Sequence, residues 1–408
     1  MTAAALEAAV RTAGTRIRAA LAARFRSLDL AEESFAEACA RAAKAWPADG
    51  VPANPAGWLY RTAERAALDQ LRRSEVRQRL SPPAPESLRA MEEVMDAGLI
   101  PDERLRLIFV CCHPAIAAEA RAALTLKVVC GLSTGEIATA FLLPEPTLAQ
   151  RLVRAKRKIA EAGIPFEVPG PRLWRERLDA VLDTIEIAYA KAHEDSAGTG
   201  PHRGYAIEML NLSGTLAELV PDDPDVLALA ATIRFAEARR PARLGPDGLM
   251  IPLVEQDPAR WDQKLITAGR EMLARASPSG SWRAVQAAIH AAWCSRQSLA
   301  EPAPWRRVLA MYDRLLAFRD DAVVRINRAV ALAEVESADA GLSELNTLQH
   351  SGLATFKPYL ATRADLLRRA GRREEAQTAY AGLLALDLPQ AERRWLERRA
   401  SLVPSPRA

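Results

Sequence analysis

Between Ser133 and Ile159 the chain carries the pattern that most narrows what it can fold into. Ser133-Thr134-Gly135-Glu136 sets a serine three residues before a glutamate, the spacing at which each can cap the other's backbone amide at a helix start. Ile137, Ala138 and Phe141 give that helix an apolar face, and Leu142-Leu143-Pro144 turns the chain. Pro146 then falls in the first turn of a second helix, where its missing amide is no loss. Leu148, Leu152, Ala155 and Ile159 recur every three or four residues and mark a core-facing seam. The other faces hold Thr147, Gln150, Arg151, Arg154, Lys156, Arg157 and Lys158, with no acid between Glu145 and Glu161. Two helices joined by a tight turn, the second dense in cations, read as a helix-turn-helix suited to a major groove flanked by phosphates. Gln and Arg also match base edges in bidentate fashion.

The remainder reads as helical too. Ala, Leu, Arg and Glu dominate, aromatics are only 5% of the 408 residues, and these are the side chains that lose least on entering a helix. The expected fold class is all-α. Proline and glycine at Trp46-Pro47, Asp49-Gly50 and Asn54-Pro55 predict a loop between helices. Ser81-Pro82-Pro83-Ala84-Pro85 is too proline-rich for a helix and reads as a linker. Gly163-Ile164-Pro165 and Val168-Pro169-Gly170-Pro171 stop the helix-turn-helix block. The expected divisions are 1–75, a linker over 76–100, 101–170, and a long extension over 171–408.

The extension shows a loose internal repeat. Tyr359–Arg369, then Gly371, then Arg373–Ala385 predicts a helix, a turn and a helix, with Ala376 and Tyr380 in the second and Pro389 beyond it. A similar layout begins near Val323, with Ala329, Ala333 and Ala340 as small packing positions. Units of this kind resemble tetratricopeptide pairs, with ordinary antiparallel helices as the alternative. Earlier, Gly245-Pro246-Asp247-Gly248 marks a turn, and the segment through Trp261 reads either as a contact surface or as a loop capping the array.

Several function classes are excluded. A net charge of +4 confines any nucleic-acid role to local clusters. Five cysteines, odd in number and mostly in apolar settings, suit a reduced, cytoplasmic protein. Met1 to Val10 lacks the basic start of a signal peptide, and no apolar run is long enough to span a membrane. The five histidines are scattered, Cys111-Cys112-His113 cannot easily converge on one tetrahedral ion, and no glycine-rich phosphate loop is present. Neither catalytic residues, a metal nor a cofactor is expected.

The run from Leu132 to Ile159 resembles region 4 of extracytoplasmic-function sigma factors. Asp102 to Pro114 resembles the opening of that domain in a subgroup with a tetratricopeptide-like C-terminal extension, and the likeness runs almost from end to end. The resemblance implies that Thr147, Gln150, Arg151, Arg154, Lys156, Arg157 and Lys158 meet the −35 promoter element. It implies that Trp58, Arg61, Arg65, Arg72 and Arg73 open and read the −10 element, as region 2 does. The acidic helix bearing Asp29, Glu32, Glu33 and Glu37 is similar to the one that binds the clamp helices of RNA polymerase. Four positions depart from the family: Ala36 for glutamine, Cys39 for phenylalanine, Glu64 for arginine and Arg65 for asparagine. The expected function is a sigma factor that binds core RNA polymerase and promoter DNA, with an extension that regulates it through a protein partner. The alternative is a sigma-derived regulator that binds DNA or a partner and no longer initiates transcription.

Overall fold

A computed structural model of the chain describes residues 2–75, 104–129, 131–140, 143–164, 166, 171–194, 203–348, 353, 356–386, 388 and 390–402. The proline-rich linker and Cys130 lie outside the described residues. Within them the chain is all-α: helices and short 3-10 turns, relieved by an isolated antiparallel bridge between Leu244 and Met250. The contacts divide the chain into two compact units, Met1–Lys191 with Ile207–Leu212, and Ala192–Ala206 with Ser213–Ala408.

The first unit opens with helices α1 (Thr2–Phe25), α2 (Leu28–Asp49) and α3 (Pro55–Glu75), packed pairwise as a bundle. Ala31, Ala38 and Ala42 of α2 and Ala63 and Ala67 of α3 are buried, and their small side chains let the helix axes approach. Ile17, Leu21, Phe35, Trp46, Leu59 and Tyr60 fill the space between. The expected break at Trp46-Pro47 is corrected: α2 runs through Pro47 and ends at Gly50. Pro47 falls in the last turn, where it removes one backbone bond, and buried Trp46 holds that turn by meeting Trp58 edge-on at 5.6 Å. The true stop is Gly50, whose φ of 86° suits glycine and whose amide closes on the Trp46 carbonyl at 3.0 Å. Asn54 starts α3 by accepting the Gly57 amide at 3.0 Å.

Among the described residues, the next helices are α4 (Arg104–Cys111), α5 (Ala118–Val128), α6 (Thr134–Ala140) and α7 (Glu145–Glu161). The capping box at α6 is reciprocal, Glu136 N–H donating to Ser133 Oγ at 3.2 Å and Ser133 N–H to Glu136 Oε2 at 2.7 Å. Pro146 sits in the first turn of α7, and Leu148, Leu152, Ala155 and Ile159 are buried. At the far end Gly163, at φ 58°, lets Ile164 N–H reach the Ile159 carbonyl at 3.2 Å, so the helix stops and Ile164 is buried. Cys111 and Cys112 are buried, with Cys112 Sγ 3.7 Å from Thr184 Oγ1 of α8 (Pro171–Glu194). His113 Nδ1 accepts the Ala115 amide at 3.1 Å. Next comes α9 (Arg203–Leu219), which carries the Ile207–Leu212 stretch grouped with this unit.

The second unit is built on α10 (Pro224–Ala238), which is buried on nearly every face. It packs against α11 (Gln263–Ala276) and α12 (Trp282–Trp293). The segment joining α10 to α11 is stapled to its own unit. Arg243 donates to the Ala236 carbonyl at 3.0 Å, Arg260 to the Leu244 carbonyl at 3.2 Å, and Trp261 is buried. That placement makes the Trp261 side chain a core element of the array. Then α13 (Trp305–Phe318), α14 (Ala322–Val335), α15 (Ala338–Asn346), α16 (Lys357–Arg369), α17 (Arg373–Leu384) and α18 (Gln390–Ala400) pack in succession. The α16–α17 hairpin turns at Gly371, φ 76°, with Ala376 and Tyr380 buried, as the repeat pattern predicts.

The tight crossing in the hairpin before it falls on Gly341, while Ala340 is only half-buried. A Cβ at Gly341 would lie 2.7 Å from the Ala329 carbonyl oxygen and 2.9 Å from Ala333 Cβ. Gly341→Ala should therefore destabilise the protein by about 1–3 kcal/mol through overpacking. Gly382→Ala, on α17 with nothing within 4 Å, should be neutral or stabilise by about 0.5–1 kcal/mol through helix propensity. Denaturant unfolding of the two variants side by side checks this, and equal stability would contradict the crossing described here.

Candidate nucleic-acid interface

The buried seam of α7 fixes where its charges point. At about 100° per residue, Thr147, Gln150, Arg151, Arg154, Arg157 and Lys158 share an arc of about 120° turned away from that seam. Thr147, Gln150, Arg154, Arg157 and Lys158 are exposed and Arg151 is half-buried. Arg157 meets Glu161 at 3.4 Å, a surface pair one turn apart that leaves the arc strongly positive. Lys156 stands apart from this group, on the opposite flank of the seam. Its Nζ donates to Glu32 Oε2 at 2.6 Å and to Asp29 Oδ1 at 3.1 Å, two of the acids that the resemblance assigns to polymerase. Burial alone would lower its ammonium, but the hydrogen bonds and charges of Glu32 and Asp29 outweigh this and hold it above its ordinary value.

On α3, Arg61, Arg65 and Arg72 lie within about 40° of one another and are exposed. Arg73 is exposed beside them, lining a cleft between α2 and α3 with Glu33, Glu37, Arg41, Asp69 and Gln70. Trp58 is half-buried against Trp46. Glu64 points elsewhere: it forms an ion pair with Arg24 of α1, the two side chains only 18% and 12% exposed. Its negative charge is thus neutralised inside the bundle, off the arginine stripe.

On α2, Asp29, Glu33 and Glu37 are exposed and Glu32 is half-buried, all on one side of the helix. Glu33 accepts a hydrogen bond from Gln70 and Glu37 one from Arg41 at 2.8 Å. Ala36 is exposed among them, so its departure from glutamine trims surface and leaves the core intact. Cys39 is half-buried, and burial, tempered by Arg18, pushes its thiol up. Sequence reasoning did not find the Glu64–Arg24 pair or the partners of Lys156. Each joins helices far apart in the chain, and no local spacing signals it.

Three family models match the chain: "Sigma-70 region 2" over residues 9–77, "Sigma-70, region 4" over 106–159, and a "Family of unknown function (DUF6596)" over 177–277. An uncharacterized protein of Rhizobium meliloti (strain 1021) is 36% identical over 375 residues, covering 89% of this chain and 87% of that protein. No solved structure matches. No described helix is long and apolar enough to cross a membrane. The matched sigma-70 regions belong to non-enzymatic DNA-binding regulators whose partners are core RNA polymerase and promoter DNA. With both regions in order and a helical part behind them, the chain belongs to the sigma-70 family, as an extracytoplasmic-function type sigma factor of promoter-specific transcription with a C-terminal extension.

Proposed function

We propose that this sigma factor binds core polymerase through the acidic face of α2 and reads promoters with α7 and α3. The observation that carries the reading is the arc on α7, where side chains able to meet bases and phosphates are held outward by a buried seam. Recognition helices meet base edges mainly with their N-terminal residues. Thr147, Gln150 and Arg151 therefore address the −35 bases, while Arg154, Arg157 and Lys158 lie over phosphates. Arg61, Arg65, Arg72 and Arg73 of α3 follow the backbone at the −10 element, and Trp58 offers a ring edge for an unstacked base. Asp29, Glu32, Glu33 and Glu37 engage the polymerase clamp.

Holoenzyme rebuilt from the full chain and core polymerase tests this on the DNA it selects from a random pool. Gln150→Ala should relax preference at one −35 position by about 1–3 kcal/mol with the salt slope unchanged. Lys158→Ala should weaken all sequences alike and reduce the slope of log affinity against log salt by about 1. Unaltered base preference in the first variant would show that α7 is not the reader.

The extension acts as the regulator in this proposal, because stacked helical hairpins present grooves that take up a protein or peptide. Chains ending at Leu219 keep the Ile207–Leu212 stretch grouped with the first unit. With circular dichroism showing the helices intact, such a chain should give several-fold more promoter-specific transcript than the full chain at equal concentration. Equal yields would remove the regulatory role.

A further inference from the structure

We infer that the second unit binds a carboxylate in a recess walled by Arg239, His290 and Tyr312. Such binding is independent of promoter reading and of any effect of the extension on transcript yield. Arg239 closes the C-terminal end of α10, and His290 lies in the last turn of α12. Tyr312 is on α13, packed against the core that Val285, Ile289 and Val308 form. Arg239 is only 6% exposed. Its Nη2 meets His290 Nδ1 at 2.9 Å, while its Nη1 is buried with no hydrogen-bond partner among the described residues.

A guanidinium taken out of water needs a counter-charge, because an uncompensated buried ion is strongly destabilising. The acids nearest in sequence are engaged elsewhere. Glu237 holds Arg240 through two bonds of 2.6 and 2.8 Å, and Asp313, beside Tyr312, holds Arg328 at 2.8 Å. Cys294 lies within reach of the Arg239 charge, but burial outweighs that charge and keeps its thiol raised, so no thiolate takes the place of an anion. The end of α10 supplies roughly half a negative charge, short of the full unit required. Arg243, also buried and tied to the Ala236 carbonyl at 3.0 Å, adds further positive potential at His290.

The neighbours of Arg239 are neutral donors. Burial, reinforced by Arg239 and Arg243, holds the His290 imidazole down to about 3. Since its Nδ1 accepts from Arg239, the proton of the neutral ring sits on Nε2. Burial likewise pushes the Tyr312 phenol up to about 12, with the Arg239 charge opposing, so its hydroxyl keeps its proton. Both side chains are nevertheless half-buried and retain surface that solvent reaches. They therefore wall a recess and do not simply fill the core. One guanidinium flanked by N–H and O–H donors matches one negative charge spread over two acceptor oxygens, as in a carboxylate. A phosphate dianion would bring a second charge.

Titration calorimetry on the full chain tests this with sodium acetate as the probe, at an ionic strength held constant with sodium chloride. Sodium phosphate and a short alanine peptide, with its C-terminus free or amidated, are run in parallel. Acetate should bind, and Arg239→Met should weaken it about tenfold or more, the worth of a charge-assisted hydrogen bond. Removing an uncompensated buried charge should leave the fold intact, which circular dichroism checks. Tyr312→Phe keeps the ring on the core and should weaken acetate several-fold, an effect that a purely structural arginine would not produce. Tighter binding of the free-ended peptide, lost on amidation, would assign the carboxylate to a chain terminus, and acetate binding at least as tight would assign it to a small acid. Either result supports the site. Binding of neither acetate nor the free-ended peptide overturns it, as does a preference for phosphate or an affinity that neither substitution changes.

Discussion

Burial of the α7 seam organises the functional half of this protein. Leu148, Leu152, Ala155 and Ile159 must all face the core, at about 1.5–3 kcal/mol for each large apolar side chain removed from water. A helix pinned on that seam has no freedom to rotate, so every other side chain of α7 has its direction set. Gln150, Arg154 and Lys158 emerge on one side, and Lys156 emerges on the other, where Asp29 and Glu32 wait. The capping box at Ser133 and Glu136 and the Gly163 stop define the register in which this happens.

The same logic accounts for the positions where the chain departs from its family. An acid at Glu64 would repel phosphates if it faced DNA, yet the helical period turns it toward α1 and Arg24. Neutralised there, it joins two helices of the bundle and leaves the arginines of α3 as the outward charge. Ala36 lies in the open among acids, so the change from glutamine affects what a partner touches and not how α2 packs.

Much of this was legible in the sequence because it is local. The all-α class, the reciprocal cap at Ser133, Pro146 in a first turn, the apolar seam and the Gly371 turn all follow from spacing of a few residues. Other features depend on what a residue meets after folding. Pro47 signals a break, but buried Trp46 carries the helix past it. Gly341, and not Ala340, lies at the close crossing, since only the assembled hairpin shows which neighbour is squeezed. Lys156 is one cation among several on a basic helix until its partners arrive from α2, more than a hundred residues earlier in the chain. Periodicity gives a face, and tertiary packing gives that face its occupant.

Transcription initiation by this chain is tested by mapping start sites. Core polymerase is incubated with fragmented genomic DNA of the source organism, with and without the full chain, and the 5′ ends of the transcripts are sequenced. A sigma factor should yield a set of discrete ends that appear only with the chain and share sequence at −35 and −10. Identical ends with and without it, while a known sigma factor yields its own set in parallel, would contradict initiation and leave a sigma-derived regulator in its place.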